Sequence, residues 1–215
     1  MGLYDVRGSH TTSLNKKIMQ KPKILMIAGS LMVLALFIFP MWNIRLEAPQ
    51  YPDPLGMNIH INKLADENPN DLQNINIMNH YVGMKAIPEK IKEFEIFPYV
   101  IIFMVILGLL IGLRANYKWY LAWFIIMAIL GAIGLYDFYL WTYDYGHNLD
   151  PKAAIKFTYP DGSPMAYRPP LIGSKSILNF DAHSYPRIGA YFMFAGMILS
   201  LLAFYLGQKE AKAVS

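Results

Sequence analysis

The chain contains no cysteine. That single absence removes disulfides, thiolate metal sites, iron–sulfur clusters, covalently attached haem and cysteine nucleophiles, and it leaves histidine, methionine, carboxylate or backbone oxygen as the ligands for any metal. Charge is scarce as well: 16% of the 215 residues are charged and 55% are hydrophobic, with a mean hydropathy of +0.28. A soluble domain carries roughly 25% charged residues, so this balance points to a membrane protein. The net charge of +4 is small, and the basic residues gather beside apolar runs instead of forming one face, so nucleic acid is not an expected partner. The sequence also has no glycine-rich phosphate loop, nucleophile elbow, zincin helix or EF-hand loop. A hydrolase or kinase therefore has no support, and no residue is assigned a catalytic role.

Four apolar stretches come close to the ~20 residues a helix needs to cross a bilayer core. They run from Ile24 to Trp42, Ile96 to Leu113, Trp119 to Trp141 and Ile188 to Leu206. Basic Lys16, Lys17, Lys21 and Lys23 precede the first, but Phe39-Pro40-Met41-Trp42 is no small-residue cleavage site, so it reads as a retained anchor. Trp and Tyr residues mark the ends of the stretches, where amphipathic rings favour the headgroup level. Residues 1–23, 114–118 and 207–215 hold nine basic residues in 37 positions, whereas 43–95 and 142–187 hold ten in 99. The asymmetry places both termini in the cytoplasm and both long loops outside. The expected fold is an all-α membrane protein of four transmembrane helices, 24–42, 96–113, 119–141 and 188–206, capped by two outer loops that form a small irregular or β structure. Its expected organisation is a cytoplasmic tail 1–23, a single membrane domain 24–206 that includes loops 43–95 and 142–187, and a second tail 207–215.

The five-residue connection 114–118 makes the second and third spans antiparallel neighbours. Gly108 and Gly112 give the second span a small-residue face for close helix approach, and Gly131, Gly134, Gly189 and Gly196 read as packing positions too. Tyr51-Pro52-Asp53 with Met57 recurs as Tyr159-Pro160-Asp161 with Met165. The match raises a duplicated helix-loop-helix, although ordinary turn chemistry favours the same residues. Within the loops, Met57 to Leu64 alternates like a strand, Ile75 to Met78 can be read the same way, and Lys85 to Phe94 suits a short amphipathic helix. The loops are expected to pack on each other as one cap.

His60, His80, His147 and His183 fall in the outer loops, and no histidine lies inside a span. A haem held by two histidines within the bundle is therefore not expected. Imidazole and thioether donors occur together as Met57 with His60 and as Met78, His80 and Met84, with Met165 in the second loop. Such a set is soft enough for Cu(I) in an oxidising compartment. The candidate metal ligands are His80, Met84, His147 and His183, with copper as the possible cofactor. Asp137 is an ionisable residue well inside a span, and Asp144 and His147 follow it toward the rim.

At Asn79-His80-Tyr81-Val82-Gly83-Met84, taken with Ala48-Pro49-Gln50-Tyr51-Pro52, Tyr145-Gly146-His147-Asn148-Leu149-Asp150-Pro151 and Pro169-Pro170-Leu171-Ile172-Gly173, the chain resembles a particular membrane-protein family. That family of four-helix proteins is associated with bacterial gene clusters for nitrous oxide reductase and its copper-supply proteins. The resemblance covers both outer loops and nearly the whole chain. It implies a multi-pass accessory protein of the bacterial inner membrane that assembles, anchors, or delivers copper or electrons to a periplasmic copper enzyme, and it does not imply catalysis. The implied partners are that enzyme or a copper chaperone, membrane lipid and other membrane subunits. The alternative is a small structural or electron-transfer subunit of a respiratory membrane complex.

Overall fold

A computed structural model describes residues 20–214, apart from 89, 115, 157, 164 and 178. The expected N-terminal tail, with Arg7, His10, Lys16 and Lys17, therefore lies almost wholly outside the described residues. Helix α1 (Gln20–Met32) passes into a 3-10 turn, Val33–Phe37, and is followed by strands β1 (Trp42–Glu47), β2 (Leu55–Ile59) and β3 (Leu64–Asp66). Helices α2 (Asp71–Val82), α3 (Lys92–Arg114) and α4 (Tyr117–His147) come next, then β4 (Gly173–Ile177), β5 (Phe180–Pro186) and α5 (Ile188–Val214).

These elements correct the all-α expectation. The described chain is mixed α/β, with five helices and a five-stranded antiparallel sheet. Three helices, α3, α4 and α5, are long and apolar enough to cross a membrane. The stretch expected to be the first span is divided instead. Its α-helix has 13 residues, ~20 Å at 1.5 Å per residue, short of a ~30 Å hydrocarbon core. Its C-terminal end at Trp42 belongs to β1. Pro40 supplies no amide hydrogen to prolong a helix, and Trp42-Asn43-Ile44-Arg45-Leu46-Glu47 alternates apolar and polar at the period of a strand.

The described chain falls into two compact units. One comprises 20–35, 99–130 and 192–214. Within it, a Cβ on Gly29 would meet the Gly196 carbonyl oxygen at 2.5 Å, so the backbones of α1 and α5 touch. A Cβ on Gly108 would lie 2.6 Å from Ser30 Cβ, and one on Gly112 2.7 Å from Ile27, so the small-residue face of α3 receives α1. Fully buried Trp123 donates its indole N–H to the Met104 carbonyl at 2.8 Å, fastening α4 to α3.

The other unit comprises 36–98 and 131–191. Its sheet has the order β3-β2-β1-β5-β4. The central pairing of β1 with β5, which sets Ile44 opposite Ser184 and Leu46 opposite Ala182, joins the two long loops into one structure. One sheet face buries Ile44, Leu55, Met57 and Ile59 against Ile75 of α2, with Trp42, Leu72, Met78, Phe94 and Phe138 around them. Full burial of such side chains stabilises by roughly 2 kcal/mol each. Gly131 and Gly134 belong to this unit but not to its packing, because a Cβ at either would meet nothing within 4 Å.

Two local expectations are also corrected. Residues 75–78 are helical, because Leu72, Ile75 and Met78 place apolar groups on one helix face. Asp66 accepts the Leu72 N–H at 2.6 Å, and buried Asp71 accepts the Gly56 and Asn68 amides at 2.8 Å each, so carboxylates anchor the positive end of α2. The described residues from Lys85 to Ile91 are not helical. Their backbone is held from outside: Asn76 accepts the Ile87 N–H at 2.8 Å, the Tyr145 hydroxyl donates to the Ala86 carbonyl at 3.0 Å, and Asn79 donates to the Lys85 carbonyl at 3.3 Å. The two copies of the Tyr-Pro-Asp motif take different structures, since Met57 is a buried strand residue while Met165 lies outside any strand.

Candidate site on the sheet-and-helix unit

All four predicted metal donors belong to the unit that carries the sheet. His80 lies in the last turn of α2 and is exposed. Gly83 then adopts a left-handed conformation, φ 79°, and the Met84 N–H donates to the Asn79 carbonyl at 2.8 Å. This is a glycine-terminated helix end, so Met84 lies past the helix instead of one turn above His80. His147 ends α4. The backbone brings these segments together: the Asp150 N–H donates to the Gly83 carbonyl at 2.8 Å, and the Ile155 N–H donates to the Tyr81 carbonyl at 3.0 Å. Met57 and Met78 serve the hydrophobic core, which leaves Met84 and Met165 as the loop thioethers outside it.

The histidines differ in what their nitrogens can still do. His147 Nδ1 lies 3.0 Å from the Tyr143 carbonyl, and the ring stacks on Tyr143 at 4.0 Å between centroids. A carbonyl only accepts, so Nδ1 carries the proton, and the Nε2 lone pair of the neutral ring is kept for another partner. Metal-binding imidazoles are oriented in this manner. His183 stands on β5 with Nδ1 2.6 Å from Ser174 Oγ and Nε2 3.5 Å from Glu47, while Ser174 also lies 3.1 Å from the Tyr185 hydroxyl. Both His183 nitrogens thus have polar neighbours on the sheet. His60 is partly buried, and burial, assisted by Lys63, lowers its pKa. Among the described residues no three of His, Asp and Glu gather to hold a metal; a His/Met set is a different composition.

A polar network not anticipated from the sequence lies on the face of the sheet opposite the core. Glu67 accepts hydrogen bonds from Arg45 through Nε at 2.7 Å and through a second guanidinium nitrogen, from Arg187 at 2.7 Å and from Asn43 at 3.1 Å. The Arg45 hydrogen bond holds the Glu67 carboxyl below its ordinary pKa, and the same bond raises that of Arg45. The alternation of β1 was the available signal: Asn43, Arg45 and Glu47 share one face. Asp144, expected near the rim, pairs with Lys85 at 2.7 Å and also binds Asn148, whereas Asp137 forms no ion pair among the described residues. An open groove of about 630 Å³ follows α2 from Asp66 and Asn70 to His80 and Tyr81. Exposed Ile77 and Tyr81 give it an apolar rim.

The chain matches no protein-family model, and no curated protein is similar to it.

Proposed function

We propose that the protein is a nonenzymatic accessory of the bacterial inner membrane, serving a periplasmic copper enzyme of the nitrous oxide reductase type. Residues 43–95 and 142–187 face the periplasm in this reading, and the 114–118 connection and the C-terminal tail face the cytoplasm. The basic-residue asymmetry supports that orientation. The observation that carries the copper role is the backbone linkage of the His80–Met84 segment to the segment after His147, next to an open groove. In this reading the soft donor segments share one surface, and His147 Nε2 is the nitrogen that would meet the metal. His80, Met84 and His147 would receive Cu(I) from, or present it to, a partner seated along α2, and Ile77 and Tyr81 would supply apolar contact. His183 would order the sheet through Ser174 and Glu47. Anaerobic titration of the purified chain with Cu(I) against a competing chelator tests this directly. One equivalent bound by the parent, and a loss of about tenfold or more in affinity in His80→Ala and His147→Ala, is expected; no binding by the parent contradicts the copper role.

A second reading, a structural subunit of a respiratory membrane complex, is favoured by α4. Only 11% of the residues in its most apolar stretch are buried, and the open positions at Gly131 and Gly134 would accept a helix of another subunit. Purification in a mild detergent as a stable assembly with membrane subunits, without copper, would select this reading.

A further inference from the structure

Helix α4 has 31 residues, ~46 Å at 1.5 Å per residue, which exceeds a ~30 Å hydrocarbon core. Its last turns carry Tyr136, Tyr139, Tyr143 and His147 at spacings of three and four, hence on one face. The rings form a ladder, with centroids 6.4 Å apart for Tyr136 and Tyr139, 6.5 Å for Tyr139 and Tyr143, and 4.0 Å for Tyr143 and His147. Tyrosines at the end of a long apolar helix mark headgroup level.

Arg168 lies on this ladder. Its guanidinium carbon is 4.0 Å from the Tyr139 ring centroid and 5.9 Å from that of Tyr143. The backbone holds it there: the Tyr167 N–H donates to the Gly146 carbonyl at 3.0 Å, and a Cβ on Gly146 would meet Arg168 Cα at 2.8 Å. Arg168 pairs with no carboxylate among the described residues. Its Nε is covered from solvent and has no hydrogen-bond partner. A guanidinium has five donors and a permanent charge; Nε is covered, so an acceptor from outside the protein would be met by the Nη groups of this part-exposed side chain. The aromatic faces attract the cation but accept none of its in-plane hydrogen bonds. At headgroup level the abundant acceptors are phosphate oxygens, which suit the planar fork of arginine.

We propose that Arg168, seated on Tyr139 and Tyr143, binds the phosphate of an anionic phospholipid headgroup and so fixes the end of α4 at the membrane surface. The proposal rests on the membrane setting given by the apolar helices and not on copper, so it is read in copper-free protein. Native mass spectrometry of the full chain in nonionic detergent would compare short-chain phosphatidylglycerol, short-chain phosphatidylcholine and inorganic phosphate. The parent is expected to retain phosphatidylglycerol about tenfold better than phosphatidylcholine, because both offer phosphate oxygens but the choline cation of the latter repels the guanidinium and cancels the headgroup charge. Arg168→Gln should abolish the preference, and Lys175→Gln, a cation on β4, should keep it. Should Arg168→Gln not fold, Tyr139→Leu removes the ring beneath the guanidinium and should weaken the preference. Equal retention of the two lipids by the parent, or an unchanged preference in the folded variant, overturns the proposal. Displacement of phosphatidylglycerol by an equal concentration of inorganic phosphate overturns the headgroup as the source and assigns the site to free phosphate.

Discussion

Replacing Glu67 by Gln should destabilise the sheet-bearing unit by about 2 kcal/mol, a figure set between two limits. Exposed ion pairs contribute under ~1 kcal/mol, and breaking a buried pair costs roughly 3–5 kcal/mol. Glu67 lies near the buried limit, with a side chain 15% exposed, but its partners Arg45 and Arg187 are 46% and 39% exposed, so solvent screens them. Glutamine keeps the shape but turns an amide donor toward two guanidinium groups, which also donate. The acid response gives an independent check. The Glu67 carboxyl titrates below its ordinary value in the folded chain, chiefly through its hydrogen bond with Arg45. Its stabilisation is therefore complete above the unfolded value near 4.5 and is lost as pH falls through the folded one. Equilibrium unfolding in mixed micelles, followed by near-ultraviolet circular dichroism between pH 7 and pH 3, should show stability falling more steeply toward acid in the parent than in Glu67→Gln. A cycle with Arg45→Gln should return coupling of about 1 kcal/mol or more. A loss below about 0.5 kcal/mol at pH 7, or identical acid slopes for parent and variant, would show that Glu67 does not secure the sheet through its guanidinium partners.

The glycines divide by environment. Gly196→Val should prevent stable folding or lower stability by more than about 3 kcal/mol, since its side chain would strike the Gly29 backbone. Gly131→Ala should raise helix stability by up to ~1 kcal/mol. Thermal unfolding in detergent distinguishes these outcomes, and equal effects would contradict the packing described. A reporter enzyme active only in the periplasm should work when fused after Ile87 or Lys175 and fail after Gln208; the reverse pattern would place the donor histidines in the cytoplasm. His183→Gln should leave Cu(I) affinity within about twofold of the parent, because both ring nitrogens already have neighbours in Ser174 and Glu47. A tenfold loss would return that residue to the ligand set.

The long apolar helices were legible because α3, α4 and α5 exceed the length a bilayer demands, whatever their neighbours do. The sheet was less so. β1 begins at Trp42 directly after an apolar run, and a tryptophan there reads equally well as the aromatic end of a span. β5, Phe180–Pro186, turns Ala182 and Ser184 inward and Asp181, His183 and Tyr185 outward, so its buried face looks polar until Trp42 is seen donating to Ser184 at 2.8 Å. The helical state of Ile75 to Met78 depends on Asp66 and Asp71 anchoring the start of α2, a tertiary arrangement that short-range alternation does not reveal. Of the site, the residue types and their loops were readable. That Gly83 ends α2 between His80 and Met84 was visible as a turn signal; the joining of that segment to the one after His147, and the seating of Arg168 on Tyr139, arise from contacts distant in sequence.

The proposed copper role is tested most directly by the copper loading of nitrous oxide reductase in cells that express the parent, His80→Ala, Met84→Leu or His147→Ala at equal membrane abundance. If the protein serves nitrous oxide reductase as proposed, the variants should lower the copper content and activity of that enzyme while remaining folded and inserted themselves. Unchanged copper content and maturation in all three would contradict a role for this surface in copper delivery.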